Sequence, residues 1–185
     1  PKSKHTQARA DGVIPKVTLR RLLSHSAGLG IHGYRGYPAD RELPTLQQIL
    51  KGEPPANSQP VRVIHAPGKA YQYSSGGFLV VQQMIEDSSG KPLAALAKEF
   101  IFDQLGMASS AFDTRLPETF LPRAATAHCR TVEPVPGRWH MYPEQAAASL
   151  WTTPSDLGRL IVEILKSFKN KSRRVLSSEM TQLML

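Results

Sequence analysis

Apolar positions recur with helical spacing in several short stretches of the chain, and most of these carry their own start and stop signals. Leu19, Leu22 and Leu23 share a face directly after Thr18, which predicts a short helix capped by that threonine and ended by Gly28 and Gly30. Thr45 stands in the same way before Leu46, Ile49 and Leu50, with Gly52 and Pro54-Pro55 as the stop. Phe78, Val81 and Ile85 recur at i, i+3 and i+7 with Gln82, Gln83, Glu86 and Asp87 opposite, so an amphipathic helix is expected from near Phe78 to Gly90. Pro92 opens the next one, where Leu93, Leu96, Ala97, Phe100 and Ile101 share a face until Gly106. These two helices are expected to pack as an antiparallel pair. The strongest pattern starts at Thr153, with Pro154 at the first helical position, Asp156 three residues after the cap, and Leu157, Leu160, Ile161, Ile164, Leu165 and Phe168 in register. Ser177 or Ser178 starts a last helix that uses Met180, Leu183 and Met184.

Between these helices the pattern fades. Residues 1–16 are polar and unpatterned and read as a lead-in, and the glycines, proline and tyrosines of 30–44 read as an ordered loop. Residues 108–150 have no long period; Ala124–Val132 and Arg138–Tyr142 are expected as short strands around the Pro134–Gly137 turn. The expectation is therefore a mainly α chain with minor β structure.

Composition adds limits. With 185 residues, 41% hydrophobic and 21% charged, the chain fits one domain or a large part of one. No apolar run is long enough for a membrane span, and the start Pro1-Lys2-Ser3-Lys4 shows no apolar leader, so neither a span nor a signal peptide is expected; a start at Pro without Met reads as a chain cut from something longer. A single Cys129 excludes an internal disulfide, and the histidines at 5, 25, 32, 65, 128 and 140 never stand at a ligand spacing, so no metal or cofactor is expected. The net charge of +8 is concentrated in residues 1–25 and 159–174. Neither run is interleaved with aromatics, so solvated surface explains them better than a nucleic-acid patch.

Chemistry concentrates in Pro67–Gly77, which reads Pro-Gly-Lys-Ala-Tyr-Gln-Tyr-Ser-Ser-Gly-Gly. Turn residues at both ends hold Tyr73, Ser74 and Ser75 at the mouth of the helix expected from Phe78. Taken alone, Tyr73 reads as an amphipathic tyrosine at the edge of a core. His25 reads as a hydrogen-bonding residue of a helix-end turn, Trp151 as packing, and Cys129 as a small buried hydrophobe.

Four landmarks in order change the weight of Tyr73: Val17–Gly28 (VTLRRLLSHSAG), Pro67–Gly77, Phe102–Met107 (FDQLGM) and Ala146–Leu157 (AAASLWTTPSDL). Together they resemble the serine β-lactamase-like hydrolases, the penicillin-binding family that includes class C β-lactamases, D-alanyl-D-alanine peptidases and related esterases. The resemblance covers residues 17–185 and implies a partial domain, the helical region of that α+β fold without the complete sheet. It implies acyl-enzyme chemistry on a small-molecule or short-peptide substrate, with Tyr73 on the family's catalytic tyrosine. The family's nucleophilic Ser-x-x-Lys lies upstream of the Leu-Leu-Ser-His landmark, and its final strand motif lies downstream of the Thr-Thr-Pro-Ser-Asp helix. Both would belong to missing parts of a parent protein.

The Ser-x-x-Lys present here, Ser88-Ser89-Gly90-Lys91, is interrupted by Gly90 and followed by Pro92, and so reads as a decoy. Ser75 stands where class C enzymes carry an asparagine that contacts substrate, and Ser149 where a glycine is common beside the pocket; both are expected substrate-binding positions. The Tyr73-Ser74-Ser75 variation argues against efficient β-lactam hydrolysis. Alternatives are a non-catalytic penicillin-binding or sensor protein of the same fold, and a basic helical module that binds nucleic acid. The family context is compatible with the bacterial cell envelope; the residues themselves fix no location.

Overall fold

The computed structural model describes residues 16–185, so the polar lead-in expected over 1–16 lies almost wholly outside the described residues. Two compact units make up the chain. One runs from the chain up to Ser89 together with Ala125–Ser149, the other from Gly90–Ala124 and Leu150–Leu185.

In the first unit α1 (Leu19–Leu23) and α2 (Leu46–Lys51) both start at the threonines the sequence marks. Thr45 forms a reciprocal box with Gln48: its hydroxyl accepts from the Gln48 N–H at 3.2 Å, and the Gln48 carboxamide oxygen accepts from the Thr45 N–H at 2.8 Å. Gly52, left-handed at φ 67°, closes α2. α3 (Ser75–Ser89) is the centre of this unit and packs against both shorter helices. It starts three residues before Phe78, because the Ser74 hydroxyl accepts from the Gly77 N–H at 3.0 Å and draws both glycines into the first turn. Leu22, Ala27, Leu29 and Val81 form the buried cluster, with Val61, Val80 and Ile85 packed on it.

The second unit contains α4 (Leu93–Ala97), a π-turn over Lys98–Phe102, α5 (Asp103–Leu105) and the antiparallel pair β1 (Ala111–Phe112) and β2 (Leu150–Trp151). The helices expected as an antiparallel pair, α3 and α4, thus fall in different units. Pro92 is the cap of α4 rather than its first residue. The π-turn corrects a second expectation: the extra residue per turn shifts the helical register within it, so Phe100 is 58% exposed while Phe102 is 5% exposed. Phe102 joins Ala97 and Met107 in the core, with Leu105, Phe112 and Leu160 around them. Phe102→Ala should therefore cost about 3–5 kcal/mol, while Phe100→Ala stays within roughly 0.5 kcal/mol. Chemical denaturation of the two variants checks this, and equal losses would refute the shifted register.

A short α6 (Gln145–Ala148) docks on α3 in the first unit, and α7 (Pro154–Phe168) and α8 (Ser178–Met184) complete the second. α7 starts as expected, with the Thr153 hydroxyl accepting from the Asp156 N–H at 3.2 Å. Its buried side differs from the expectation. Leu160 reaches the core, but Leu157, Ile161, Leu165 and Phe168 are exposed, and Asp156, Glu163 and Ser167 are buried instead.

The reason is that these polar groups hold the flanking loops. Asp156 accepts from the Ser109 N–H and the Ser110 hydroxyl, both at 2.9 Å, and pairs with Arg159. Glu163 accepts from the Ser172 hydroxyl at 2.8 Å and the Arg174 N–H at 3.1 Å, and Ser167 donates to the Leu176 carbonyl at 2.6 Å. Burial alone would raise the Asp156 carboxyl, but the hydrogen bonds from Ser110, Ser109 and Arg159 outweigh it and hold the group below its ordinary value.

The strands expected at Ala124–Val132 and Arg138–Tyr142 do not form. The segment is an irregular hairpin, closed by Ala127 N–H to the Arg138 carbonyl at 2.7 Å and Cys129 N–H to the Glu133 carbonyl at 2.8 Å. Pro134 and Pro136 supply no donors, and positive φ at Val132, Gly137 and Arg138 breaks any ladder. Cys129, expected to be buried, is exposed on this hairpin.

Candidate active site

Tyr73 sits two residues before the start of α3, and its backbone position is fixed from both sides. The Gln72 N–H donates to the His25 carbonyl at 2.7 Å, and the Ser74 N–H to His25 Nδ1 at 3.1 Å. The Ser74 hydroxyl donates to the Gly30 carbonyl at 2.5 Å, and the Ser75 hydroxyl to the His32 carbonyl at 2.9 Å. These bonds tie the tyrosine turn to the segment after α1. The approach needs glycine: a Cβ on Gly28 would lie 2.2 Å from the His65 carbonyl oxygen, and one on Gly76 would lie 3.1 Å from the Gly30 carbonyl.

With the turn pinned, the Tyr73 side chain remains 42% exposed between two imidazoles. The His25 ring centroid is 4.5 Å from its ring and the His32 centroid 4.9 Å. The His25 nitrogen that accepts from Ser74 carries no proton, so that of a neutral ring lies on Nε2. His25 adopts φ 52°, the left-handed bend of a helix-end turn, which agrees with its expected structural role. Sequence reasoning does not bring His32 to Tyr73. Its only signal is a position two residues after Gly30, which has no pattern of its own.

Both serines expected at the substrate are buried with their hydroxyls turned inward. Ser75 donates to His32 as above, and Ser149 donates to the Tyr142 carbonyl. Ser88 and Lys91 show no catalytic arrangement. Gly90, at φ 66°, comes directly after the last residue of α3, the Ser88 hydroxyl donates to the Ile85 carbonyl at 3.1 Å, and the Lys91 ammonium pairs with Glu99 at 2.6 Å. Among the described residues no group of three or more His, Cys, Asp or Glu could hold a metal ion, and no helix is long and apolar enough to cross a membrane. An open groove of about 460 Å³, lined by Leu50, Val80 and Met84, contains none of Tyr73, Ser75 and Ser149.

The turn and fold are those of a known class of protein. The sequence model of the beta-lactamase family matches residues 3–185, and the chain belongs to that family. It is 32% identical over 132 residues to esterase EstB of Burkholderia gladioli, covering 68% of this chain and 33% of the esterase. It is 26% identical over 150 residues to the teichoic acid D-alanine hydrolase of Staphylococcus aureus, covering 80% of this chain and 35% of that protein. The chain thus spans about a third of the length of the curated relatives it matches. The crystal structure of D-amino acid amidase from Ochrobactrum anthropi SV3 superposes with a TM-score of 0.66 at 21% identity, over 88% of this chain and 44% of the amidase. The fold is accordingly the β-lactamase and penicillin-binding fold, of which this chain holds a mainly helical part. The family is one of serine hydrolases.

Proposed function

We propose that the chain is part of a serine hydrolase that works through an acyl-enzyme on an ester or amide, with Tyr73 as the acid–base residue it contributes. The observation that carries this is the fixing of Tyr73: both neighbouring residues are bonded to another segment while the phenol stays open to a substrate. A packing tyrosine at a core edge has no need of that arrangement. In the reaction a serine oxygen bonds to the substrate carbonyl carbon, the leaving group departs with a proton, and water then releases the acid and restores the serine. Tyr73 moves protons at the serine oxygen and the leaving group. The serine and its lysine lie in missing parts of the parent fold, as does the late strand.

The named activities of the relatives, an esterase, a D-alanine hydrolase and a D-amino acid amidase, favour acyl esters and amides over β-lactams. Ser75 and Ser149, with their hydroxyls committed to carbonyls, offer substrate no asparagine-like amide. The test is to incubate the whole protein with an activated ester and, separately, a fluorescent penicillin, following turnover and intact mass. Ester turnover with a transient acyl adduct is expected. A stable penicillin adduct without turnover of either compound would favour the sensor reading, and no adduct at all would overturn the acyl-enzyme.

A further inference from the structure

We propose that Glu144 is a positioning residue of this site: a buried carboxylic acid whose proton couples the loop that carries His32 to the run that ends in Ser149. The effect on turnover rests on the hydrolase reading above; the coupling itself does not.

Glu144 opens α6, its carbonyl accepting from the N–H groups of Ala147 at 3.0 Å and Ala148 at 2.9 Å. Its residue is 0% exposed, and neither carboxylate oxygen has a hydrogen-bond partner on another side chain or segment. The Tyr34 hydroxyl, from the His32 loop, is also buried without a partner. A buried carboxylate with no donor is costly, and the neutral acid avoids that cost; Tyr34 is near enough to feel the charge of Glu144 but makes no hydrogen bond to it.

The two segments are already joined around this pair. Tyr37 and Met141 exchange N–H to carbonyl bonds at 2.8 and 2.7 Å, and His140 Nδ1 lies 3.1 Å from the Arg35 carbonyl. A Cβ on Gly36 would lie 2.7 Å from the Tyr142 ring, which shows how closely they approach. α6 is held to α3 by the Ala146 N–H donating to the Gln82 carboxamide oxygen at 3.1 Å. Movement at Glu144 is therefore passed to both neighbours of the site.

Among the described residues no cation offsets the burial of its carboxyl. Tyr34 and Tyr37 contribute phenols, and Glu86 on α3 accepts from Gln82 at 3.1 Å. On the hairpin side, Arg138 lies over the Trp139 ring at 4.6 Å, and Arg35 and His140 meet through the backbone contact above. No ion pair reaches Glu144 among the described residues. Burial pushes its carboxyl up from 4.5 to about 7, with its own backbone N–H working weakly the other way. Burial first, and then the charge of Glu144, raises the Tyr34 phenol.

A folded value above the unfolded one means that the contribution of this group to stability is fully present below pH 4.5 and is lost as pH rises through about 7. Thermal unfolding of the wild-type protein should fall by about 5–10 °C across that window, and Glu144→Gln, which stays neutral, should keep the low-pH midpoint on the alkaline side. Identical pH slopes for the two would overturn the proposal. If the glutamine variant does not fold, infrared spectra of the wild type decide. A protonated-carboxyl band that persists at about pH 6 and disappears near pH 7 to 8 is expected, and its absence at the lower pH is the contrary result. In a protein active on an ester, kcat should decline over the same window and Glu144→Gln should flatten that decline. An inactive wild type would count against the hydrolase reading, while the unfolding and infrared results would still decide the role of Glu144.

Discussion

Replacing Tyr73 by phenylalanine in the whole protein is expected to reduce turnover of an activated ester by about 10²–10⁴-fold, the usual range for loss of an acid–base group. The ring contacts with His25 and His32 are made by the ring itself and survive the change. The hydrogen bonds that fix the turn are donated by Gln72, Ser74 and Ser75, so the fold has no reason to move. Stability should therefore change by less than about 0.5 kcal/mol, as for an exposed substitution that breaks no special feature. The loss should fall on kcat more than on KM, because a proton carrier acts in the transition state and not in substrate binding. Wild-type turnover by the variant would make Tyr73 a packing residue and remove the acid–base assignment.

The sequence is legible where local chemistry decides. Thr18, Thr45 with Gln48, and Thr153 with Pro154 start their helices through side chains within three residues, so the pattern and the structure agree. The misses lie where distant packing decides. Nothing near Lys98–Phe102 announces a turn with one extra residue, and a strict 3.6-residue period therefore assigns Phe100 to the core in place of Phe102. On α7 the apolar stripe is the obvious face to bury, but the loops at 108–110 and 170–178 offer hydroxyls and N–H groups, and these bury Asp156 and Glu163. Ile161, in the middle of the stripe, is left 56% exposed. The role proposed for Tyr73 rests on the ordered landmarks of a family, because its own neighbours in sequence show turn chemistry and no more. His32 and Glu144 need the fold: each belongs to a segment whose partner is remote in sequence.

The chain of residues 1–185 by itself should be catalytically silent. Covalent catalysis needs a nucleophile with an activating neighbour, and donors placed where negative charge develops on the oxygen. The only serine and lysine in the required spacing are Ser88 and Lys91, and the lysine is paired with Glu99 beyond a left-handed Gly90. Ser74, Ser75 and Ser149 all donate their hydroxyl protons to backbone carbonyls, so none of these three is poised for attack. A phenol ordinarily keeps its proton at neutral pH and becomes an effective base only beside cations. In the resemblance those cations come with the Ser-x-x-Lys segment, and one oxyanion donor comes with the nucleophile's own N–H. Incubating this chain with an activated ester and a fluorescent penicillin should give turnover at the buffer rate and no covalent mass shift. Labelling of Ser88, lost together with activity in Ser88→Ala, would mean that the chain carries its own nucleophile and that the interrupted motif rearranges to form a site.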